Sequence, residues 1–133
     1  MPNKFHEPLP PEVDHIASII LNSAFKVHRA LGPGLLESIY EVCLCHELSK
    51  AGLKFRRQPE LPIIYDGLKL ESGLRIDVVV EDQVIVELKA VETIIPLFEA
   101  QVLTYLKLTG KRLGLLINFN VPLLKNGIRR IIL

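Results

Sequence analysis

The sequence predicts an α/β fold: a sandwich in which a central mixed β-sheet is flanked by helices. Three features point there. Two helical segments fill the first third of the chain, a β-hairpin pattern occupies residues 73–90, and a helical stretch separates that hairpin from an almost wholly apolar strand, so it can cross over to a parallel neighbour. At 133 residues, 49% of them hydrophobic, the chain suits one globular domain with a core of its own.

The elements follow in order. Residues 1–10 carry three prolines and no periodic pattern, and read as a flexible N-terminal arm ahead of a single domain over residues 11–133. Between 11 and 31, Ile16, Ile20, Ala24, Val27 and Leu31 share one helix face, and Gly32-Pro33-Gly34 stops the helix. A second helix over 35–51 carries Leu36, Ile39, Val42, Cys43, Leu44 and Leu48 around most of its circumference; burial is expected, with Gly52 as cap. Residues 54–58 and 61–65, separated by Pro59 and closed by Asp66-Gly67, read as one interrupted strand. The hairpin places strands at 73–80 and 84–90, with Glu81, Asp82 and Gln83 at its tip. Pro96 suits the first turn of a helix running to 109, which Gly110 ends. Residues 112–118 read as a strand covered on both faces, and 127–133 as a last strand after the loop 120–126.

Sixteen basic and fifteen acidic residues leave a net charge of +1, so no global field draws the chain to nucleic acid or to a membrane. An anionic partner must be held locally. No apolar run approaches the roughly 20 residues that span a bilayer, and the N-terminus has no signal-like stretch, so a cytoplasmic protein with no membrane partner is expected. Cys43 and Cys45, two apart on the second helix, point away from each other and read as free thiols. The sequence contains no GxGxxG, P-loop, zinc-ligand cluster or Gly-x-Ser-x-Gly elbow, so nucleotide-driven and serine-hydrolase chemistry lack support. A mean hydropathy of +0.31 makes a homodimer an expectation.

The chemistry concentrates in the hairpin. With the tip at 81–83, Val80 faces Val84, and counting outward sets Asp77 opposite Glu87. Alternation then puts Lys89 on the Glu87 face and leaves Ile76, Val78, Val80, Val84, Val86 and Leu88 on the other, apolar face. An unpaired charge in such a place costs on the order of several kcal/mol or is neutralised, so something must compensate. A hard divalent ion such as Mg²⁺ or Mn²⁺ between the two carboxylates does this. Ion pairs of Glu87 with Lys89, or of Asp77 with Arg75, on a solvated face are the structural alternative.

Asp77, nine intervening residues and Glu87-Leu88-Lys89 resemble the active-site core of the PD-(D/E)XK nuclease superfamily. The stretch from Gly34 through Glu37 to Tyr40 matches the signature of the GxxExxY protein family, which is grouped with those nucleases. The likeness continues through LGPGLLESIYE, RIDVVVEDQVIVELKAVE, QVLTYLKLTG and LGLLINFN, nearly the whole chain after the arm. Gln101 and Tyr105 look like the QxxxY element of RecB-like nucleases.

The resemblance implies a restriction-endonuclease-like sandwich and metal-dependent hydrolysis of phosphodiester bonds in nucleic acid, DNA more than RNA. It implies Asp77, Glu87, the Leu88 carbonyl and Glu37 as ligands of Mg²⁺ or Mn²⁺, and Asp77, Glu87, Lys89, Glu37, Gln101 and Tyr105 as the catalytic set. Lys89 would orient the attacking water or stabilise the transition state. Other readings stand beside these. Glu37 lies at a helix start, where the dipole favours a carboxylate by roughly 0.3–1 kcal/mol. Gln101 and Tyr105 share a helix face, where they either orient site groups or satisfy nearby backbone as a buried polar pair. Tyr40 and His28 read first as packed side chains. Candidate phosphate grips are Lys54, Arg56 and Arg57, then Lys107, Lys111 and Arg112, then Arg129 and Arg130. The competing functions are a non-catalytic nuclease-fold binding or assembly module and a metal-dependent hydrolase of another phosphate ester.

Overall fold

The structure is a computed structural model that describes residues 7–133. Its elements are α1 (Pro11–Leu31), α2 (Glu37–Lys50), β1 (Phe55–Arg57), β2 (Glu60–Tyr65), β3 (Leu68–Arg75), β4 (Val78–Val80), β5 (Val84–Lys89), α3 (Pro96–Thr109), β6 (Leu113–Asn118) and β7 (Ile128–Ile132), with a 3₁₀ turn at Leu124–Gly127. Five strands form a mixed sheet in the order β1-β4-β5-β6-β7, while β2 and β3 pair apart from it as a two-stranded ribbon. Within the five-stranded sheet β5 and β6 run parallel, joined across α3, and the other neighbours are antiparallel. The architecture is α/β, a five-stranded mixed sheet flanked by three helices, as in restriction-endonuclease-like folds.

Two apolar layers enclose the sheet. On one face Val78, Val80, Val84, Val86, Leu88 and Leu115 pack with the inner sides of α1 and α2. On the other, Val79 and Ile85 pack with Tyr105 and Leu106 of α3. Covered on both sides, β4 and β6 are buried throughout and β5 is buried up to Lys89. The close fit of α3 depends on Gly114, where an added Cβ would collide with Val102 Cγ1. No helix of the described residues is long and apolar enough to cross a membrane.

Helices α1 and α3 keep their expected bounds. Helix α1 ends where the Gly32 N–H reaches the His28 carbonyl at 2.8 Å with φ 67°, and α3 ends at Gly110 with φ 73°. Helix α2 differs from the expectation. It starts at Glu37, not 35, and buries one face only, through Tyr40, Glu41, Leu44, Cys45 and Leu48, while Leu36, Ile39 and Val42 are exposed. Its apolar residues are too widely spread for a single neighbour to cover.

Three further expectations are corrected. The interrupted strand is two strands in two sheets: β1 pairs with β4, and β2 pairs with β3. The first hairpin strand is likewise divided, because Ile76 and Asp77 bend the chain out of the ribbon and into the main sheet. Ile76 consequently packs on the α3 side with Val79 and Ile85, not with Val78 and Val80. At the amino end, residues 1–6 of the expected arm lie outside the described residues. Beyond them Arg112 donates to the Glu7 and Pro8 carbonyls at 2.8 and 3.3 Å, and Leu9 packs against the core.

Candidate active site

The sheet delivers two acids to one place. The pairs Val80↔Val84 and Val78↔Val86 have the counted register, and one step further Asp77 meets Glu87 just where β4 begins. Each carboxylate is held by the other strand's backbone. The Asp77 N–H donates to Glu87 Oε1 at 2.9 Å, and the Leu88 N–H donates to Asp77 Oδ2 at 2.9 Å. Leu88 thus turns its N–H toward Asp77, and since N–H and C=O of a strand residue point to the same side, its carbonyl turns there too. That geometry fits the ligand role implied for it.

Glu87 is 7% exposed. Burial pushes its carboxyl up to about 8, and the neighbouring Asp77 charge adds to the push. Burial also raises Asp77, opposed first by the hydrogen bond from the Leu88 N–H and then by the nearby Glu87 carboxyl. The pair therefore shares a proton near neutral pH, as carboxylates that cannot both ionise do.

Lys89 is half-buried on the Glu87 side, its Nζ 4.3 Å from the centre of the Phe98 ring of α3. The aromatic face attracts and steadies the ammonium, whose charge opposes the rise of both acids. Neither Lys89 nor Arg75 forms an ion pair among the described residues, so the structural alternative for the acids is not what the fold adopts.

The other expected residues differ in how they relate to this pair. Glu37 is the first residue of α2 and is exposed, yet partial burial of its carboxyl pushes its pKa up, Asp77 adds to that, and Lys89 opposes it. It faces the acids electrostatically but does not join them: among the described residues no three His, Cys, Asp or Glu side chains converge closely enough to hold one ion. Tyr105 is nearly buried, its hydroxyl raised by burial and then by the Glu87 and Asp77 charges. Gln101, one turn before, is exposed, so the two do not form a buried polar pair.

Tyr40 turns away from the acids. Its hydroxyl donates to the Gly32 carbonyl at 2.6 Å and accepts from the Leu35 N–H at 3.1 Å, while its ring stacks on Phe119 at 4.6 Å. His28 is buried with Nε2 2.8 Å from the Val121 carbonyl. Cys43 and Cys45 are free thiols, and burial pushes Cys45 up to about 11. The expected phosphate grips are largely engaged elsewhere. Arg57 pairs with Glu41 at 2.7 Å, Arg56 and Lys111 meet Asp82 at 3.1 and 3.2 Å, and Arg129 and Arg130 pair with Glu99 and Asp14 at 3.7 and 3.0 Å. Arg112 is turned to backbone carbonyls, including that of Leu133. These are not open basic patches.

Three supporting residues escaped the sequence reading. Phe98 was hidden because nothing local links it to Lys89. Asn118, 1% exposed at the end of β6, exchanges two hydrogen bonds with the Val91 backbone at 2.9 and 3.0 Å and so anchors the chain just after Lys89. Glu41 is buried one turn after Glu37 and accepts from Arg57 and Gln58. A readable signal for it existed: Glu41 lies in phase with Leu44, Cys45 and Leu48 on one helix face.

The family model of the PD-(D/E)XK nuclease superfamily matches residues 14–131. Neither a curated protein nor a solved structure matches the chain. That match runs from early in α1 into β7, taking in both acids, the lysine and every strand of the sheet, and by it the chain belongs to the PD-(D/E)XK nuclease superfamily.

Proposed function

We propose that the chain is a divalent-metal-dependent nuclease that hydrolyses phosphodiester bonds of nucleic acid, DNA in preference to RNA. The observation that carries this reading is the Asp77–Glu87 pair, two carboxyl groups each accepting a backbone N–H from the other's segment, with no cationic side chain paired to either among the described residues. Asp77, Glu87 and the Leu88 carbonyl form an all-oxygen donor set suited to Mg²⁺ or Mn²⁺, with the remaining positions left for water and phosphate oxygens. Glu37, outside that set, would bind a second ion or an ordered water. When bound, the ion supplies Lewis acidity, lowering the pKa of water and offsetting charge on the phosphate.

The chain's own groups do the rest. Glu87 releases its shared proton as the carboxylates take up their ligand roles. Lys89, steadied by Phe98, orients the water whose oxygen attacks phosphorus and donates to the charge that develops as the P–O ester bond breaks. Tyr105 and Gln101, on one face of α3, hold the phosphate or a carboxylate in line.

Plasmid DNA, single-stranded DNA, RNA and a small phosphodiester, each incubated with and without Mn²⁺, test the proposal. Mn²⁺-dependent cleavage of DNA that vanishes in Asp77→Ala is the expected result. No cleavage of any substrate by the folded, Mn²⁺-loaded protein overturns it. A binding or assembly module without catalysis is the second reading, favoured by the engaged arginines, and cleavage of the small diester alone would indicate a hydrolase of another phosphate ester. A homodimer belongs to the same proposal, supported by the exposed Leu36 just before α2 and Ile39 and Val42 within it; sedimentation equilibrium reporting a monomer at all concentrations removes it.

A further inference from the structure

We propose that Glu41 is a positioning residue for the acid pair, acting through Gln58 on Asp77; this rests on the metal-dependent reading above. Glu41 is 5% exposed, and a single oxygen, Oε2, accepts from Arg57 Nε at 3.2 Å, Arg57 Nη2 at 2.7 Å and Gln58 Nε2 at 3.2 Å. The arginine alone offsets the buried charge. The contact to Gln58 does something else.

Gln58 holds φ 54°, a left-handed conformation that penalises a residue with a Cβ. In that conformation its N–H donates to the Asp77 carbonyl at 2.7 Å, and next to it the Pro59 carbonyl accepts from the Ile76 N–H at 3.1 Å. These two bonds clamp the bend through which the chain leaves β3 and enters β4. From that bend the Asp77 N–H reaches Glu87 and the Asp77 carboxylate receives the Leu88 N–H. A continuous line of hydrogen bonds thus runs from Glu41 to Gln58, to the Asp77 backbone and on to both carboxylates. Without the grip of Glu41 on its amide, Gln58 relaxes toward negative φ, its N–H leaves the Asp77 carbonyl, and the carboxylate loses its aim.

Glycine adopts φ 54° without penalty. Gln58→Gly therefore keeps the bend without side-chain help, and uncouples it from Glu41. The test measures Mn²⁺ affinity by electron paramagnetic resonance, and the Asp77 and Leu88 amide resonances in metal-free protein. Glu41→Ala is expected to weaken Mn²⁺ binding about tenfold and to move both amides. Gln58→Ala, which leaves the Arg57 ion pair in place, should reproduce the loss. Glu41→Gln, which still offers an acceptor, should restore affinity, and Glu41→Ala in the Gln58→Gly background should bind nearly as wild type. The proposal is overturned if Glu41→Ala and Gln58→Ala bind Mn²⁺ like wild type with both amides unmoved, even if the melting temperature falls, since Glu41 would then serve the fold alone. A wild-type protein that binds no Mn²⁺ sinks the metal reading, and the metal-free amide shifts still decide the link from Glu41 to Asp77.

Discussion

Glu87 sits where burial and a like charge act together, and both favour its neutral form. Its folded pKa of about 8 lies above the ordinary 4.5, so between those values the folded state holds a proton that the unfolded chain has lost. The stabilising contribution is complete below about 4.5 and disappears as pH rises through about 8, with a slope of at most about 1.4 kcal/mol per pH unit. The metal-free protein should therefore melt at progressively lower temperature from pH 5 to pH 8. Glu87→Gln should flatten that dependence, and Mn²⁺ should raise the melting temperature most at the alkaline end; a flat profile for the wild type contradicts the shared proton. Lys89→Ala should reduce the cleavage rate by roughly 10²–10⁴ while Mn²⁺ binding persists, as a ligand role for the lysine would not allow. Asp77, Glu87 and Lys89 were legible because strand alternation needs only counting from the tip. Phe98 was not, and for Glu41 helix phase signalled burial but not its partners, because such contacts depend on which helix lies over which strand.

Among the elements, the hairpin shows both the reach and the limit of pattern. Its tip and register followed from Glu81-Asp82-Gln83, where Glu81 and Asp82 indeed take φ 51° and 55°. Its bend at Ile76 and Asp77 did not follow, since an extended run of apolar residues looks the same whether it stays in one sheet or passes between two. Residues 68–72 carry no readable strand pattern for a related reason: a two-stranded ribbon has no second layer to impose alternation, and a bulge opposite Pro62 disturbs what there is. Helix α3 was legible at both ends through Pro96 and Gly110, yet its closeness to the sheet was not. Gly114→Ala should cost about 1–3 kcal/mol, because the stiff Val102 side chain must yield to the new methyl group. Urea unfolding should show a lower midpoint with unchanged slope; an unaltered midpoint would mean that α3 moves freely on β6.

Across the whole molecule the sixteen basic and fifteen acidic residues nearly cancel, and among the described residues Arg56, Lys111, Arg129 and Arg130 meet acids at the surface. Surface pairs of this kind contribute only about 0–1 kcal/mol, so they can open to a phosphate but present no standing positive groove. Of Lys89 and the eight expected phosphate grips, Lys54, Lys89 and Lys107 stand outside side-chain ion pairs and side-chain hydrogen bonds to carbonyls among the described residues. If those three alone meet phosphates, binding of double-stranded DNA should weaken with salt at a log–log slope of about −3. A slope of about −6 or steeper would mean that the paired arginines let go of their acids on binding. The β2–β3 ribbon adds one more consequence. The chain departs at Gln58-Pro59 and returns at Ile76-Asp77, and those two points are bonded to each other. The ribbon is therefore a closed detour: residues can be added or removed in pairs about Asp66-Gly67 while the reactive acids keep their spacing, so its length is free to be tailored by evolution or by an engineer.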